Sequence, residues 1–188
     1  YDLPDAAGWA LTTTGGSSTL ASGPRVTVAT TSQQRLYGIT PQGTNAEGYI
    51  AHFAARVNSG GSIANEEVGI KLLLSGGSTT EYECTIRLST THARLMDDVA
   101  TAALGSAAID LTADFYEFRI SLVTGKVKAW YRIHDFMDDQ EWTELGSSTT
   151  ISARTLGSAG TNAIRFGHLL ATTSNSDWKI WNYTSDEY

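Results

Sequence analysis

Between residues 116 and 133, apolar side chains alternate with other side chains at a period of two, broken once at Val123-Thr124-Gly125. The apolar series is Tyr116, Phe118, Ile120, Leu122, Val127, Ala129, Tyr131 and Ile133. A period of two places successive side chains on opposite faces of a strand, whereas a helix needs a period of about 3.6. Two such runs joined by a glycine-containing turn are typical of a β-hairpin with one buried and one solvated face.

Strand patterns also fill most of the remaining sequence. In residues 48–58 the predicted buried face consists of Tyr49, Ala51, Phe53, Ala55 and Val57. Further strands are predicted at 25–29, 35–39, 67–75, 81–89, 92–96, 142–145, 162–170 and 178–183, and a glycine/serine turn at 15–18. Residues 89–101 lack the sustained apolar stripe of an amphipathic helix. This spacing predicts an all-β, antiparallel β-sandwich.

One domain accounts for the whole chain, residues 1–188, because no linker or composition shift divides it. We expect it to be a module of a larger protein or assembly. Cys84 is the single cysteine, so an intrachain disulfide is impossible, and its alternating apolar run predicts a core position.

The formal net charge of −7 argues against the broad basic surface that nucleic acid or an anionic membrane requires. Polymers rich in uronate or sulfate are also poorer candidate ligands, unless a local basic face outweighs the net charge. No apolar run has the length of a membrane span, so we expect neither a nucleic-acid partner nor membrane insertion.

The order of these pieces resembles the concanavalin A-like lectin/glucanase superfamily, which includes laminin G-like domains. The segments that carry the resemblance are 5–9, Gly23-Pro24, 48–58, the hairpin with Trp142-Thr143-Glu144-Leu145, 164–167 and 178–181. The resemblance implies a jelly roll of two curved sheets with a concave ligand face. Such members include lectins, carbohydrate-binding modules, glycoside hydrolases, polysaccharide lyases and adhesive modules of viral fibres, so the fold narrows function only loosely.

The carboxylates of the sequence do not form the Glu-x-Asp-x-x-Glu run that retaining hydrolases of this superfamily typically carry. Glu81 and Glu83 share one face of a strand, and Glu117 lies beside Arg119, but alternation produces such pairs routinely. The Gln-x-His triplet typical of lyases on this scaffold is also absent. We therefore expect a non-catalytic domain, with a glycoside hydrolase or polysaccharide lyase as the alternative.

Acidic side chains cluster in the segment 134–141, which reads HDFMDDQE. Asp135, Asp138, Asp139 and Glu141 supply the oxygen ligands that Ca²⁺ prefers, and several jelly-roll lectins use such a site. The spacing is not that of an EF-hand, and a solvated acidic loop explains the same residues more simply. Calcium is therefore the one cofactor that the sequence suggests.

Trp130 falls on the solvated face of the hairpin, where a large aromatic side chain is unusual. An aromatic ring flanked by charged and hydrogen-bonding groups is one way in which proteins hold a sugar ring. The predicted ligand-binding face consists of Trp130, Arg119, Lys128, Arg132, Glu117, His52 and Arg56, with Trp142 nearby. A subunit interface would explain an exposed tryptophan equally well.

The sequence thus predicts a non-catalytic carbohydrate-binding or adhesive module that uses the concave face of one sheet. Its expected partner is a glycan or polysaccharide, and its expected setting is extracellular or on a virion or cell surface. The second hypothesis is a structural, decoration or fibre domain that contacts protein subunits of a larger assembly and binds no sugar.

Overall fold

The computed structural model describes residues 4, 8–11, 16–21, 25–41, 48–64, 67–75, 77–134 and 140–184. These residues form thirteen strands and no helix. The strands are β1 (Ala10–Leu11), β2 (Ser17–Ala21), β3 (Arg25–Ile39), β4 (Tyr49–Ser59), β5 (Val68–Leu74), β6 (Thr80–Leu88), β7 (His92–Asp97), β8 (Ala102–Ala108), β9 (Tyr116–Val123), β10 (Lys126–Ile133), β11 (Thr143–Ser148), β12 (Ala153–Thr155) and β13 (Ala163–Thr184). In this part of the chain there is accordingly no helix capable of crossing a bilayer.

Two long strands, β3 and β13, run through both layers of the fold. Residues 163–168 of β13 pair with β5, and residues 175–184 pair with β4. Strand β3 follows β13 along both parts, with register shifts between His168 and Ser174. We call β2-β3-β13-β4-β9-β10-β11 the first sheet and β1-β3-β13-β5-β6-β7-β8 the second sheet, with β12 added beside β6. All of these pairings are antiparallel, and the architecture is the predicted all-β jelly-roll sandwich.

An aromatic layer fills the space between the two sheets. The predicted inward face of β4, represented by Phe53, is fully buried. The ring of Phe166, from the second-sheet part of β13, lies 5.3 Å from that of Phe53 and 5.0 Å from that of Trp178. Cys84 is buried in the same core, and burial raises the pKa of its thiol, so it is the inert core residue that the sequence predicts.

The edges of the two sheets also meet, at β8 and β11. A Cβ atom on Gly105 would lie 2.8 Å from the Cα atom of Gly146, so this approach requires glycine. This contact packs β11, the edge strand of the first sheet, against the second sheet. It therefore holds in place the edge of the sheet that carries the candidate site.

Several sequence-predicted boundaries differ from the structure. The strands predicted at 25–29 and 35–39 are one strand, β3, and those at 162–170 and 178–183 are one strand, β13. Bulges bend these strands from one sheet to the other without a turn, and no turn residue is needed to mark the change. Residues 17 and 18, predicted as a turn, begin β2, because backbone pairing with β3 outweighs the weak strand propensity of serine.

Candidate functional site

The outward side chains of the first sheet form rows that run across its strands, because residues paired between antiparallel strands face the same side. The central row consists of Asn182, His52, Arg119, Trp130 and Glu144. Three of the seven predicted ligand-binding residues therefore lie side by side on β4, β9 and β10.

A cleft of about 610 Å³ opens over this row. Its lining residues are Ile50, His52, Arg119, Trp130, Trp142, Asn182, Tyr183 and Thr184. The volume is in the range of small-molecule sites, and the lining combines two indole rings with a few polar groups, as such sites generally do. Trp130 is partly exposed and borders the cleft, so its ring is not packed inside the protein.

Trp142 is held over the central row by cationic side chains. The guanidinium carbon of Arg119 lies 4.2 Å from the Trp142 ring centroid, and that of Arg132 lies 4.5 Å from it. The ring of His52 approaches edge-on with a centroid distance of 5.7 Å. Cation–π contacts of this kind are worth about 0.5–2 kcal/mol each, so together they position the indole just before β11 begins.

Glu117 lies beneath the site and is not among the residues that line the cleft. Its side chain is buried and accepts hydrogen bonds from His52 Nε2 at 3.0 Å, Arg132 Nη2 at 2.9 Å and His134 Nδ1 at 2.7 Å. Burial alone would raise the pKa of Glu117, but the bonds from His134, Arg132 and His52 outweigh it, and the pKa is lowered. An ionised, fully partnered carboxylate therefore anchors the polar groups of the face.

His52 is neutral near pH 7. Burial lowers its pKa below the ordinary value, and the charges of Arg119 and Arg132 act in the same direction against the opposing effect of Glu117. Because ionised Glu117 can only accept, the hydrogen-bond network assigns the ring proton to Nε2. His52 Nδ1 is then left as a hydrogen-bond acceptor.

The remaining predicted residues take different positions. Lys128 Nζ lies 5.1 Å from the Trp130 ring centroid and 3.1 Å from Glu144 Oε2, so it flanks the cleft. Arg132 is directed towards Glu117 and Trp142 and supports the cleft from one side. Arg56 is outside the lining set and forms an ion pair with Asp177 at 2.6 Å.

Sequence reasoning missed half of the cleft. The missed residues are Ile50 of β4 and Asn182, Tyr183 and Thr184 from the end of β13. The pairing of Asn182 with His52 joins segments 130 residues apart, and no local pattern encodes it.

The predicted metal ligands Asp135, Asp138 and Asp139 lie outside the described residues. Glu141 is described and is exposed. In the described ranges there is no group of three His, Cys, Asp or Glu side chains able to hold a metal ion. Calcium binding by the acidic segment therefore stays a prediction.

Comparison with solved structures identifies the architecture. No protein-family model and no curated protein sequence matches the chain. A GH43 protein, BlXynB of Bacillus licheniformis, aligns over 90% of this chain at 14% identity with a TM-score of 0.60. A protein of unknown function from Saccharomyces cerevisiae aligns over 97% of this chain and 98% of its own at 11% identity and TM-score 0.56.

The chain has the concanavalin A-like fold. The exoplasmic/lumenal domain of VIP36, in its form bound to Ca²⁺ and Man3GlcNAc, aligns over 96% of this chain and 84% of its own at 14% identity, with a TM-score of 0.51. The chain spans only 34% of the GH43 protein. At these identities the likeness establishes the concanavalin A-like fold and leaves activity to the site itself.

Proposed function

We propose that this domain is a non-catalytic glycan-binding module whose cleft holds a sugar ring against its two tryptophans. The observation that carries the proposal is that Trp130 and Trp142 border one open cleft together with Arg119. The C–H face of a sugar ring packs on an indole, and its hydroxyls need nearby donors and acceptors. Arg119 supplies hydrogen-bond donors, the amide of Asn182 supplies a donor and an acceptor, and neutral His52 supplies an acceptor.

The shared fold supports glycan as the ligand class. The VIP36 domain, which has the same concanavalin A-like architecture, carries Man3GlcNAc in its bound form. A glycan-binding module of this kind would act outside the cell or on a virion or cell surface, where polysaccharides are present. The competing function, a structural domain that contacts protein subunits, would cover the same Trp130 with a partner chain.

The site favours binding over hydrolysis. Glycoside hydrolysis generally requires two carboxyl groups that flank the scissile bond, about 5–9.5 Å apart. None of the cleft's described lining residues is an aspartate or a glutamate. The nearest buried carboxylate, Glu117, is already engaged by His52, Arg132 and His134. Such a carboxylate is poorly placed to act as an acid or a nucleophile.

Titration calorimetry against a panel of oligosaccharides, followed by Trp130→Ala and Trp142→Ala, tests the proposal. We expect either substitution to weaken the best ligand at least about tenfold, equivalent to about 1.4 kcal/mol of lost stacking and burial. Ile133→Ala is the control, because Ile133 is 43% exposed and lies outside the cleft.

Two outcomes would contradict the proposal. Unchanged affinity in both tryptophan variants would exclude the cleft as the glycan site, and a stable oligomer that binds no member of the panel would favour the structural function.

The same titrations, run with CaCl₂ and then with EDTA, test whether the domain binds calcium. If the acidic segment 135–141 holds the ion, affinity or thermal stability rises with calcium, and identical curves reject a calcium site.

A further inference from the structure

A second cavity, of about 330 Å³, adjoins the cleft on the same face of the first sheet. Its lining residues are Ser121, Val123, Lys126, Val127, Lys128, Ser147, Ser148 and Thr149. Ser121 pairs directly with Ile50, which lines the cleft. Lys128 precedes Trp130 by two positions on β10, a separation of about 7 Å along one face of a strand. The two cavities are therefore neighbours on one surface.

Donor groups dominate this second cavity. Two of its lining residues carry ammonium groups, four carry hydroxyls, and none of these eight carries a carboxylate. The hydroxyls of Ser147 and Ser148 already donate to Glu144 Oε1 and to the Thr150 carbonyl, so the ammonium groups are the main donors left to a ligand. Lys126 is exposed and has no ion-pair partner among the residues that the structure describes. Lys128 contacts Glu144 at 3.1 Å, but both side chains are more than a third exposed, and such pairs contribute little. The ammonium groups thus remain available to an anion.

Ser121 provides an independent indication that the cavity accepts a ligand. The residue is 1% exposed, and its Oγ is buried without a hydrogen-bond partner. Leaving such a group unpaired costs roughly 1–3 kcal/mol, and the large majority of buried polar side-chain atoms in native proteins are paired. Because the Oγ is closed to solvent in this position, rotation of the Ser121 side chain about χ1 would be needed to present the unpaired hydroxyl to a ligand oxygen in the cavity.

The charge pattern continues into the cleft. Arg119 stacks on Trp142 and has no carboxylate partner within the described part of the chain. Arg119, Lys126 and Lys128 outnumber Glu144, the carboxylate that the structure places beside them, so this surface is locally basic although the chain as a whole carries a net charge of −7. The net charge makes acidic polymers poor ligands in general, but this local excess of positive charge makes an acidic polymer a suitable ligand at this surface.

We infer that the second cavity binds the anionic group, carboxylate or sulfate, of a sugar unit adjacent to the one in the cleft. The ligand class is then an acidic oligosaccharide, and the inference rests on the glycan-binding function proposed above. Ammonium and hydroxyl donors suit both anions, and the indole rings hold the neighbouring ring. Exposed charges of this kind are screened by salt, so the preference for an acidic ligand falls as ionic strength rises.

The test uses the full chain and three oligosaccharides of one backbone: a uronate-containing oligosaccharide, its carboxyl-reduced neutral form, and a sulfate ester of that neutral form. At low salt we expect an acidic form to bind at least tenfold more tightly than the neutral form, and 0.5 M NaCl to remove most of that preference. The more tightly bound of the two acidic forms identifies whether carboxylate or sulfate is the natural group.

Two lysine substitutions distinguish binding in the second cavity from a general effect of the protein's positive charge. Lys126→Gln should abolish most of the preference while leaving affinity for the neutral form unchanged. Lys179→Gln, which removes one positive charge from β13 outside both cavities, should leave the preference intact. Equal effects of the two substitutions would overturn the inference.

Two further outcomes distinguish this inference from the proposed function. Equal binding of acidic and neutral forms, lost in Trp130→Ala, would overturn the acidic ligand class and leave glycan binding in place. If none of the three oligosaccharides and no member of the wider panel binds, both the proposed function and this inference fail.

Discussion

Glu117 is the residue on which the polar side of the site depends. The residue is 4% exposed, and its carboxylate accepts hydrogen bonds from His52, Arg132 and His134. A buried charge is tolerated only when it is paired and hydrogen-bonded in this way. The sequence pattern placed Glu117 on the ligand-binding face, and its position indicates instead that it orients the residues above it.

Substitution Glu117→Gln should destabilise the domain by about 3 kcal/mol. The amide removes the negative charge that balances Arg132 and directs an N–H group towards other donors, and breaking a buried pair typically costs about 3–5 kcal/mol. Urea denaturation measures the change. Glu144→Gln is the matched control: Glu144 is exposed and paired with Lys128, and its loss should cost less than about 1 kcal/mol. Equal, small effects of the two substitutions would show that Glu117 is not an anchor.

At the scale of a single element, β13 is bent around a buried histidine. His168 Nδ1 lies 2.8 Å from Thr30 Oγ1, and Nε2 lies 2.8 Å from Ser176 Oγ. Thr30 donates to the Thr172 carbonyl and Trp178 Nε1 donates to Ser176 Oγ. These bonds are all satisfied when His168 is neutral and carries its proton on Nδ1, so the network fastens both halves of β13 to β3.

Acid should therefore loosen this strand. Burial lowers the pKa of His168 from 6.5 to about 4. Below pH 6.5 the imidazole of His168 is protonated in the unfolded chain but stays neutral in the folded chain. Stability is therefore lost as pH falls from about 6.5 towards 4. At about 1.36 kcal/mol per pKa unit, the total loss from this group is about 3 kcal/mol.

Comparison of the wild type with His168→Gln isolates the effect, because all other titrating groups are common to both proteins. Urea unfolding at pH 7.5, 6, 5 and 4.5 should show the stability difference between them shrinking as pH falls. The variant is less stable at pH 7.5, where the histidine network is intact, and it lacks the titrating ring. A difference that stays constant across this range would mean that the pKa of His168 is the same in the folded and unfolded protein.

At the scale of the whole molecule, one aromatic cluster joins the two sheets. The ring of Phe166 lies 5.3 Å from those of Phe53 and Trp9 and 5.0 Å from that of Trp178. Strands β3 and β13 also belong to both sheets. The sheets therefore share both a backbone and a core, and we expect them to unfold together in a single transition.

Phe166→Ala should lower the free energy of unfolding by about 3–5 kcal/mol, because a fully buried aromatic ring leaves a cavity that the surrounding rings cannot close. Calorimetry and chemical denaturation measure the loss. Leu170→Ala is the control: Leu170 lies on the same strand but is 40% exposed, and its substitution should change the free energy of unfolding by only about 0.5 kcal/mol. Two separate transitions in either protein would show that the sheets are independent units.

Alternation along single strands was sufficient to predict every feature that depends on a period of two. The hairpin of β9 and β10, the buried face of β4 and the outward position of Trp130 all follow from alternation within one strand. The sandwich class followed as well, because short alternating runs have few other ways to bury their apolar faces. His52, Arg119 and Trp130 were thus identified correctly as outward neighbours.

Which of these faces became a cleft depends on contacts between strands that are distant in the sequence. Trp142 lies over the central row because of contacts with Arg119 and Arg132, and Asn182 reaches it through a strand pairing that spans most of the chain. Arg56 shares the parity of His52, yet pairing with Asp177 holds it outside the cleft. Local periodicity fixes the side of a strand on which a residue lies. Which strands become neighbours depends on the packing of the whole core, and the ligand surface is defined by those neighbours.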